Sequence, residues 1–213
     1  MDGCYDAMLK QIEWLFFDVG STLVDESRAN EHRILEAIKD TSITYQQAYL
    51  MAVQLAKQKN AHPLKALGLP LTPWHSEDEI VYPQAAECLS ELHKKYKIGI
   101  IANQSPGTTD RMKAYGLFPM LDLIVASAEE GLEKPDIRIF QLALERAGCR
   151  PDEAIMIGDR IDNDIVPAKK AGMMTIWIRQ GFGGMAENLT AEETPEFSVR
   201  NLQELLAFFS LIE

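Results

Sequence analysis

The sequence has few cysteines and no long apolar run, and both absences narrow the class of protein. Its three cysteines, Cys4, Cys88 and Cys149, are scattered without CxxC spacing, so neither a disulfide framework nor a zinc site is expected. No stretch approaches the roughly 18 apolar residues that a membrane-spanning helix requires. Residues 1–10 lack the apolar core of a secretory signal. We therefore expect a cytoplasmic protein with no membrane partner.

Positive charge is also scarce. The 21 Lys and Arg are outnumbered by 32 Asp and Glu, which gives a net charge of −11, so nucleic acid is not an expected partner. An anionic substrate would have to be held by local positive groups. The length of 213 residues suits one large domain, or a core with a small insertion. Nothing in the sequence indicates the oligomeric state.

Short apolar runs alternate with helical patterns through most of the chain. Runs at 12–17, 97–103, 121–125, 154–157, 173–178 and 197–199 predict buried strands. Between them, helical spacing and glycine stops predict helices at 83–96, from residue 108 to Gly116, and at 136–147, 162–171 and 201–209. Strands that alternate with helices predict an α/β fold, with a parallel sheet covered by helices on both faces.

The block from about residue 25 to 80 has helical patterns and no strand pattern. Ser27 is a predicted cap for a helix that reaches about residue 39, and Thr44 for one that reaches about residue 60. Four Pro and Gly residues then break the pattern between positions 63 and 73. The pattern therefore predicts a helical insertion after the first strand.

Polar side chains follow four of the predicted strands. They are Asp18, Asn103, the loop 127–134 that ends in Lys134, and the acidic segment 159–164. The carboxyl ends of parallel strands meet at one rim, where ligands bind. Clustered carboxylates need a counter-charge, and Mg²⁺ prefers such hard oxygen ligands. Carboxylates, a lysine and a metal at one rim suit phosphoryl transfer.

Four segments in order resemble the motifs of the haloacid dehalogenase (HAD) superfamily: residues 18–23, 98–103, 133–136 and 158–164. The resemblance covers roughly residues 12–206. It implies a three-layer Rossmann-like core with a parallel sheet, and a small helical cap of the C1 type inserted after strand one. The expected domains are a core at 1–24 and 81–213 and a cap at 25–80, which is short for this branch. The implied activity is a Mg²⁺-dependent phosphoric monoester hydrolase acting on a small phosphorylated metabolite.

The resemblance also assigns roles at the matching positions. Asp18 matches the nucleophile, which becomes an aspartyl-phosphate, and Lys134 matches the lysine that stabilises the nucleophile and the transferring phosphoryl group. Asp18, the backbone carbonyl of Gly20, Asp159 and Asp164 match the metal ligands.

Thr22, Asn103 and Lys134 are the expected substrate-binding residues, and two other positions depart from the phosphatase pattern. Gly20 stands where the family has a second Asp as general acid and base, a function worth roughly 10² to 10⁴ in rate. Ala102 stands where Thr or Ser would bind the phosphoryl group. If only the acid is missing, a Gly20→Asp variant should be the faster phosphatase.

The departures leave other functions open. Dehalogenases and phosphonatases of this superfamily also lack the second Asp. Dehalogenases typically lack the acidic metal cluster, however, and phosphonatases use a cap lysine, for which the candidates are Lys39, Lys57, Lys59 and Lys65. A third alternative is a ligand-binding or regulatory protein without useful turnover.

Overall fold

A parallel six-stranded sheet forms the centre of the computed structural model, which describes residues 9–59, 64 and 67–211. In chain order, the strands of the described residues are β1 (Trp14–Phe17), β2 (Val24–Asp25), β3 (Ile80–Val81), β4 (Lys97–Ala102), β5 (Leu123–Ala126), β6 (Ala154–Gly158), β7 (Met174–Ile178) and β8 (Phe197–Val199). β2 and β3 form a separate pair outside the six-stranded sheet. The sheet order is β5-β4-β1-β6-β7-β8, with every pairing parallel. β1 is therefore central, with β4 and β6 as its neighbours.

Helices cover both faces of this sheet, and two more lie in the insertion after β1. In chain order the helices are α1 (Ser27–Ile38) and α2 (Tyr45–Lys57) of the insertion, then α3 (Ala85–His93), α4 (Thr108–Ala114), α5 (Ser127–Glu130), α6 (Ile137–Ala147), α7 (Val166–Lys170) and α8 (Leu202–Ser210). One-turn 3₁₀ helices lie at Ser76–Asp78, Phe118–Met120, Pro151–Glu153 and Gly183–Met185, and a π-helical turn lies at Ile161–Ile165. The three-layer α/β fold expected from the sequence is confirmed.

The alternation of side chains along β1 divides the core between the two faces. Leu15 and Phe17 point into the larger cluster, which is closed by α3 and α8. Trp14 and Phe16 point to the opposite face, against α6 and α7. Successive strand side chains project to opposite faces, and all four are buried. The short apolar run therefore has two-sided packing, which is why it shows no amphipathic pattern.

The insertion contains α1 and α2, and its edges differ from the prediction. The segment was expected to contribute no strand, but β2 and β3 pair antiparallel and bracket the two helices. Two-residue strands are too short to show a periodicity, so no sequence pattern predicts them. Their pairing closes the insertion at its base and returns the chain to the sheet.

The helix starts were predicted with mixed success. Thr44 caps α2, because its hydroxyl accepts a hydrogen bond from the Gln47 backbone and the Gln47 side chain accepts one from the Thr44 backbone. The prediction that Ser27 caps α1 is wrong. Ser27 is the first helical residue, and the cap position belongs to Glu26, whose side chain makes no capping bond.

Within the described ranges, no helix combines the length and apolarity needed to cross a bilayer.

Gly99 of β4 is the register partner of Phe16 in β1. A Cβ at Gly99 would lie 2.5 Å from two ring carbons of Phe16, and Phe16 is fully buried. We expect Gly99→Ala to lower the free energy of unfolding by about 1–3 kcal/mol through overpacking, as measured by urea titration. Adding Phe16→Leu should recover part of this loss. Strictly additive effects of the two changes would contradict the clash.

Candidate active site

Three neighbouring strands end at the same rim of the sheet. In the register of the sheet, Phe17 of β1 lies beside Ile100 of β4 and Ile157 of β6. Each of these three residues is followed, within three positions along the chain, by a polar side chain: Asp18, Asn103 and Asp159, respectively. From β1 the chain adds β4 and β5 on one side of the sheet and then crosses to add β6, β7 and β8 on the other. Such a change of side opens a crevice beyond the carboxyl ends of the strands.

The turn after β1 holds Asp18 against β6 and then bends sharply. The Asp18 backbone N–H donates to the Ile157 carbonyl at 2.9 Å. Two residues beyond Val19, Ser21 has a φ of 53°, a left-handed conformation that is uncommon for a residue other than glycine. The Gln180 side chain donates to the carbonyls of Ser21 at 3.0 Å and Thr22 at 3.1 Å. The turn is thereby tied to the end of β7.

Three carboxylates converge at this rim. One oxygen from each of Asp18, Asp159 and Asp164 lies within 4.8 Å of the others. Asp159 and Asp164 are buried. Burial and the neighbouring carboxylates hold the pKa of Asp159 well above its usual range, and burial raises the pKa of Asp164 despite the nearby lysine. A cluster of this kind is destabilised by its own charge until a cation binds.

Lys134 is buried between two of these carboxylates. Its Nζ donates to Asp18 Oδ1 at 2.7 Å and to Asp164 Oδ1 at 2.6 Å. Burial alone would lower the pKa of Lys134, but Asp164 and Asp18 outweigh that effect and raise it. The ammonium is therefore charged at neutral pH. When the three carboxylates are ionised, the cluster keeps a net charge of −2.

Asn103 positions the lysine through its main chain. The Asn103 amide donates to the Lys134 carbonyl at 2.8 Å, and its oxygen accepts from the Lys134 N–H at 2.7 Å. The Lys134–Pro135 peptide bond is cis. The two hydrogen bonds between Asn103 and Lys134 fix the start of the lysine side chain relative to β4.

A glycine-rich segment after β7 approaches the carboxylates closely. A Cβ at Gly183 would lie 2.3 Å from Asp159 Oδ2, and one at Gly181 would lie 2.4 Å from Ser21 Oγ. Phe182 between them lines the cavity. Side chains at the two glycines would displace the site, so the segment is a wall of the pocket.

A cavity of about 480 Å³ opens above the cluster. Besides Lys134, its cationic lining comes from Arg33 of α1, Arg111 of α4 and Arg160. Arg160 is paired with Asp162 at 2.6 Å. The Nε of Arg33 is buried and finds no hydrogen-bond partner among the described residues. The cavity lining therefore combines its carboxylates with local positive charge that the overall acidity of the protein does not suggest.

Two acidic cavity residues, Glu26 and Glu79, were not found from the sequence, and Glu26 lies nearer in the chain to Asp18. It directly precedes α1, lines the cavity together with Asp18, and accepts a hydrogen bond from Ser21 Oγ at 2.9 Å. Burial, together with repulsion from Asp18 and Glu79, raises the pKa of Glu26 to about 8. A glutamate just before a helix is common because of the helix dipole, so the sequence held no signal that this one faces the site.

The predicted site residues lie at different depths. Asp18, Gly20, Asn103, Lys134, Asp159 and Asp164 all line the cavity. Thr22 does not: its side chain is fully buried, and its hydroxyl has no hydrogen-bond partner in the described part of the chain. The prediction that Thr22 binds substrate gains no support from this position.

A second group of potential metal ligands lies in the insertion. One ligand atom from each of His32, His75 and Asp78 falls within 4.8 Å of the others. The two rings stack at 3.7 Å, and their nitrogens pair with carboxylates: His32 with Asp78 at 2.8 Å and His75 with Glu36 at 3.0 Å. Stacked rings that are already hydrogen-bonded describe a polar contact between α1 and the segment before β3.

Known proteins are similar to this chain in both sequence and fold. The family model for haloacid dehalogenase-like hydrolases matches residues 12–172. A glyceraldehyde 3-phosphate phosphatase of Pyrococcus furiosus is 30% identical over 93% of each chain. The pyrimidine 5'-nucleotidase YjjG of Escherichia coli is 29% identical over 91% of this chain and 96% of its own. The chain belongs to the haloacid dehalogenase-like hydrolases and is a hydrolytic enzyme.

Solved structures support the same fold. A putative HAD-hydrolase, YfnB from Bacillus subtilis, bound to magnesium, superposes with a TM-score of 0.67 at 22% identity, over 92% of this chain and 98% of that one. At this identity the likeness concerns the fold.

Removal of the buried ammonium should destabilise the metal-free protein. Lys134→Met leaves Asp18 and Asp164 facing each other without a counter-ion, so we expect a loss of about 3–5 kcal/mol at about pH 7. The variant's folded state then takes up protons more readily than its unfolded state, so the loss should shrink towards about pH 5. Urea unfolding in EDTA measures both values. The exposed Lys113→Met is the control, since its pair with Asp110 lies in solvent. A pH-independent loss would contradict this electrostatic account.

Proposed function

We propose that the protein is a Mg²⁺-dependent phosphatase of a small phosphorylated metabolite, with Asp18 as the nucleophile. The observation that carries the proposal is the contact of Lys134 Nζ with both Asp18 and Asp164 in a cavity whose lining also includes three arginines. A phosphoryl group brings negative charge that such an arrangement can neutralise.

The acidic side of the site suits a divalent metal ion. Its donors are hard carboxylate oxygens, which Mg²⁺ prefers, and one lysine leaves the cluster with unbalanced negative charge. Asp18, Asp159, Asp164 and the carbonyl of Gly20 would hold the ion. When bound, Mg²⁺ supplies charge neutralisation for the substrate phosphoryl group. The magnesium-bound fold neighbour is consistent with this choice.

The residues of the chain divide the chemistry between them. An Asp18 oxygen attacks phosphorus and forms an aspartyl-phosphate, which water then hydrolyses. Lys134 holds Asp18 in position and offers its charge to the phosphoryl oxygens. Asn103 fixes Lys134 through the main chain. Ala102 offers no hydroxyl at the end of β4, so one donor to the developing charge is missing, a loss of about 10² or more in rate.

The relatives suggest where to search for the substrate. Several are named glyceraldehyde 3-phosphate phosphatase, and one is a pyrimidine 5'-nucleotidase. A cavity of about 480 Å³ is large enough for either class, so we propose small sugar phosphates and nucleotides as the first panel. We also propose that residues 25–80 act as the cap domain, because Arg33, Trp74 and Ser76 from this block line the cavity.

The alternative chemistries find less support. A phosphonatase would need an insertion lysine in the cavity, but Lys57 and Lys59 pair with Glu187 and Glu193, and Lys39 is exposed. Lys65 lies outside the described residues. A dehalogenase would not need the acidic cluster. A ligand-binding protein without turnover remains the alternative that an assay has to exclude.

The assay measures phosphate release from the panel with Mg²⁺. We expect turnover by the wild type and none above background by Asp18→Asn, which keeps the size of the side chain but lacks a nucleophilic carboxylate. EDTA should abolish the activity, and added Mg²⁺ should restore it. If the wild type never exceeds Asp18→Asn on any substrate, the protein is not a phosphatase.

A further inference from the structure

Position 20 has no side chain, yet the space beside it is filled by another residue. A Cβ built on Gly20 would lie 2.2 Å from Glu26 Oε1 and 2.7 Å from Glu26 Cδ. The Glu26 carboxyl group therefore occupies the volume into which a side chain at position 20 would project. The glycine creates room for a carboxyl group that arrives from six residues further along the chain.

The fold holds this carboxyl group in place. The turn after Asp18 leads into β2, and Glu26 follows β2 directly, so the chain returns to the rim within eight residues. Ser21 Oγ donates to Glu26 Oε2 at 2.9 Å. Ser21 is itself held by Gln180 through its carbonyl at 3.0 Å. The oxygen that projects over Gly20 is Oε1, the one that Ser21 does not bind.

The other candidates for proton transfer are engaged elsewhere. Glu79 lines the cavity, but it accepts hydrogen bonds from Tyr115 and from Trp74 Nε1. Asp159 and Asp164 belong to the metal cluster. His75, whose sequence neighbours Trp74 and Ser76 line the cavity, is paired with Glu36. Glu26 is therefore the acidic group of the described cavity lining that has no other assigned task.

We propose that Glu26 is the proton-transfer residue of the reaction at Asp18, in place of the acid that Gly20 cannot supply. The proposal rests on the proposed phosphatase function. In the first step an Asp18 oxygen bonds to phosphorus, the ester P–O bond breaks, and the Glu26 carboxyl gives its proton to the departing oxygen. In the second step water attacks phosphorus and gives a proton to the Glu26 carboxylate. The Asp18–phosphorus bond then breaks and inorganic phosphate leaves.

Leaving-group dependence separates proton transfer from a structural role. Glyceraldehyde 3-phosphate releases a basic alkoxide that needs a proton, whereas 4-nitrophenyl phosphate releases a stable phenolate that does not. We expect Glu26→Gln to lower kcat about 10²-fold or more on the first substrate and less than tenfold on the second. Glu31 is exposed on α1, so the matched control Glu31→Gln should leave both rates unchanged.

An equal loss on the two substrates, or no loss on either, would overturn the assignment of Glu26. Failure of the proposed function gives a different result, since the wild type would then match Asp18→Asn on both substrates. Thermal unfolding and Mg²⁺ titration of Glu26→Gln verify that the variant folds and keeps its metal site.

Relocation of the carboxyl group gives a second test. In Glu26→Ala the volume beside position 20 is empty. The double variant Gly20→Asp/Glu26→Ala should therefore turn over glyceraldehyde 3-phosphate at least tenfold faster than Glu26→Ala. Gly20→Asp alone should lower the rate, because its Cβ collides with Glu26. This reverses the expectation from the sequence that the single change would help. A folded double variant that stays as slow as Glu26→Ala would count against the proposal.

Discussion

The buried contact of Lys134 with Asp18 and Asp164 is the interaction on which the site depends. Two carboxylates could not lie this close in a dry environment without it, since each would raise the other's pKa. Burial of the lysine is in turn tolerable only because both partners lie within 2.7 Å. The pair of contacts therefore fixes three segments of the chain that are far apart in sequence, and it defines where an anionic substrate can meet positive charge.

The sheet makes this contact geometrically possible. β1 lies between β4 and β6, so the residues that follow these strands meet at one rim. The remaining elements serve the rim from further away. Asn103 holds the main chain of Lys134, Gln180 holds the turn after Asp18, and Gly183 lets the chain pass against Asp159. Each of these contacts limits the freedom of a group at the rim.

Much of this arrangement could be predicted from the sequence, because parallel strands impose a rule on where their ends meet. Motif order and the apolar runs predict that Asp18, Lys134 and Asp159 meet at one rim, and the structure brings the three side chains to one cavity. Glu26 could not be found in this way, because its position depends on the left-handed turn at Ser21 and on strands of two residues. The substrate-binding role of Thr22 stays a prediction, because a motif gives only a residue type, whereas packing decides whether its hydroxyl is buried.

In the proposed reaction, phosphoryl transfer occurs on Asp18, with charge from Lys134 and a proton from the Glu26 carboxyl. The most direct measurement is a crystal structure of the protein with Mg²⁺ and beryllium fluoride, a mimic of the aspartyl-phosphate. We expect beryllium bonded to an Asp18 oxygen, a fluoride in contact with Lys134 Nζ, and the Glu26 carboxyl facing the side from which water attacks. Beryllium fluoride away from Asp18, or a Glu26 side chain turned out of the cavity, would contradict the proposed reaction.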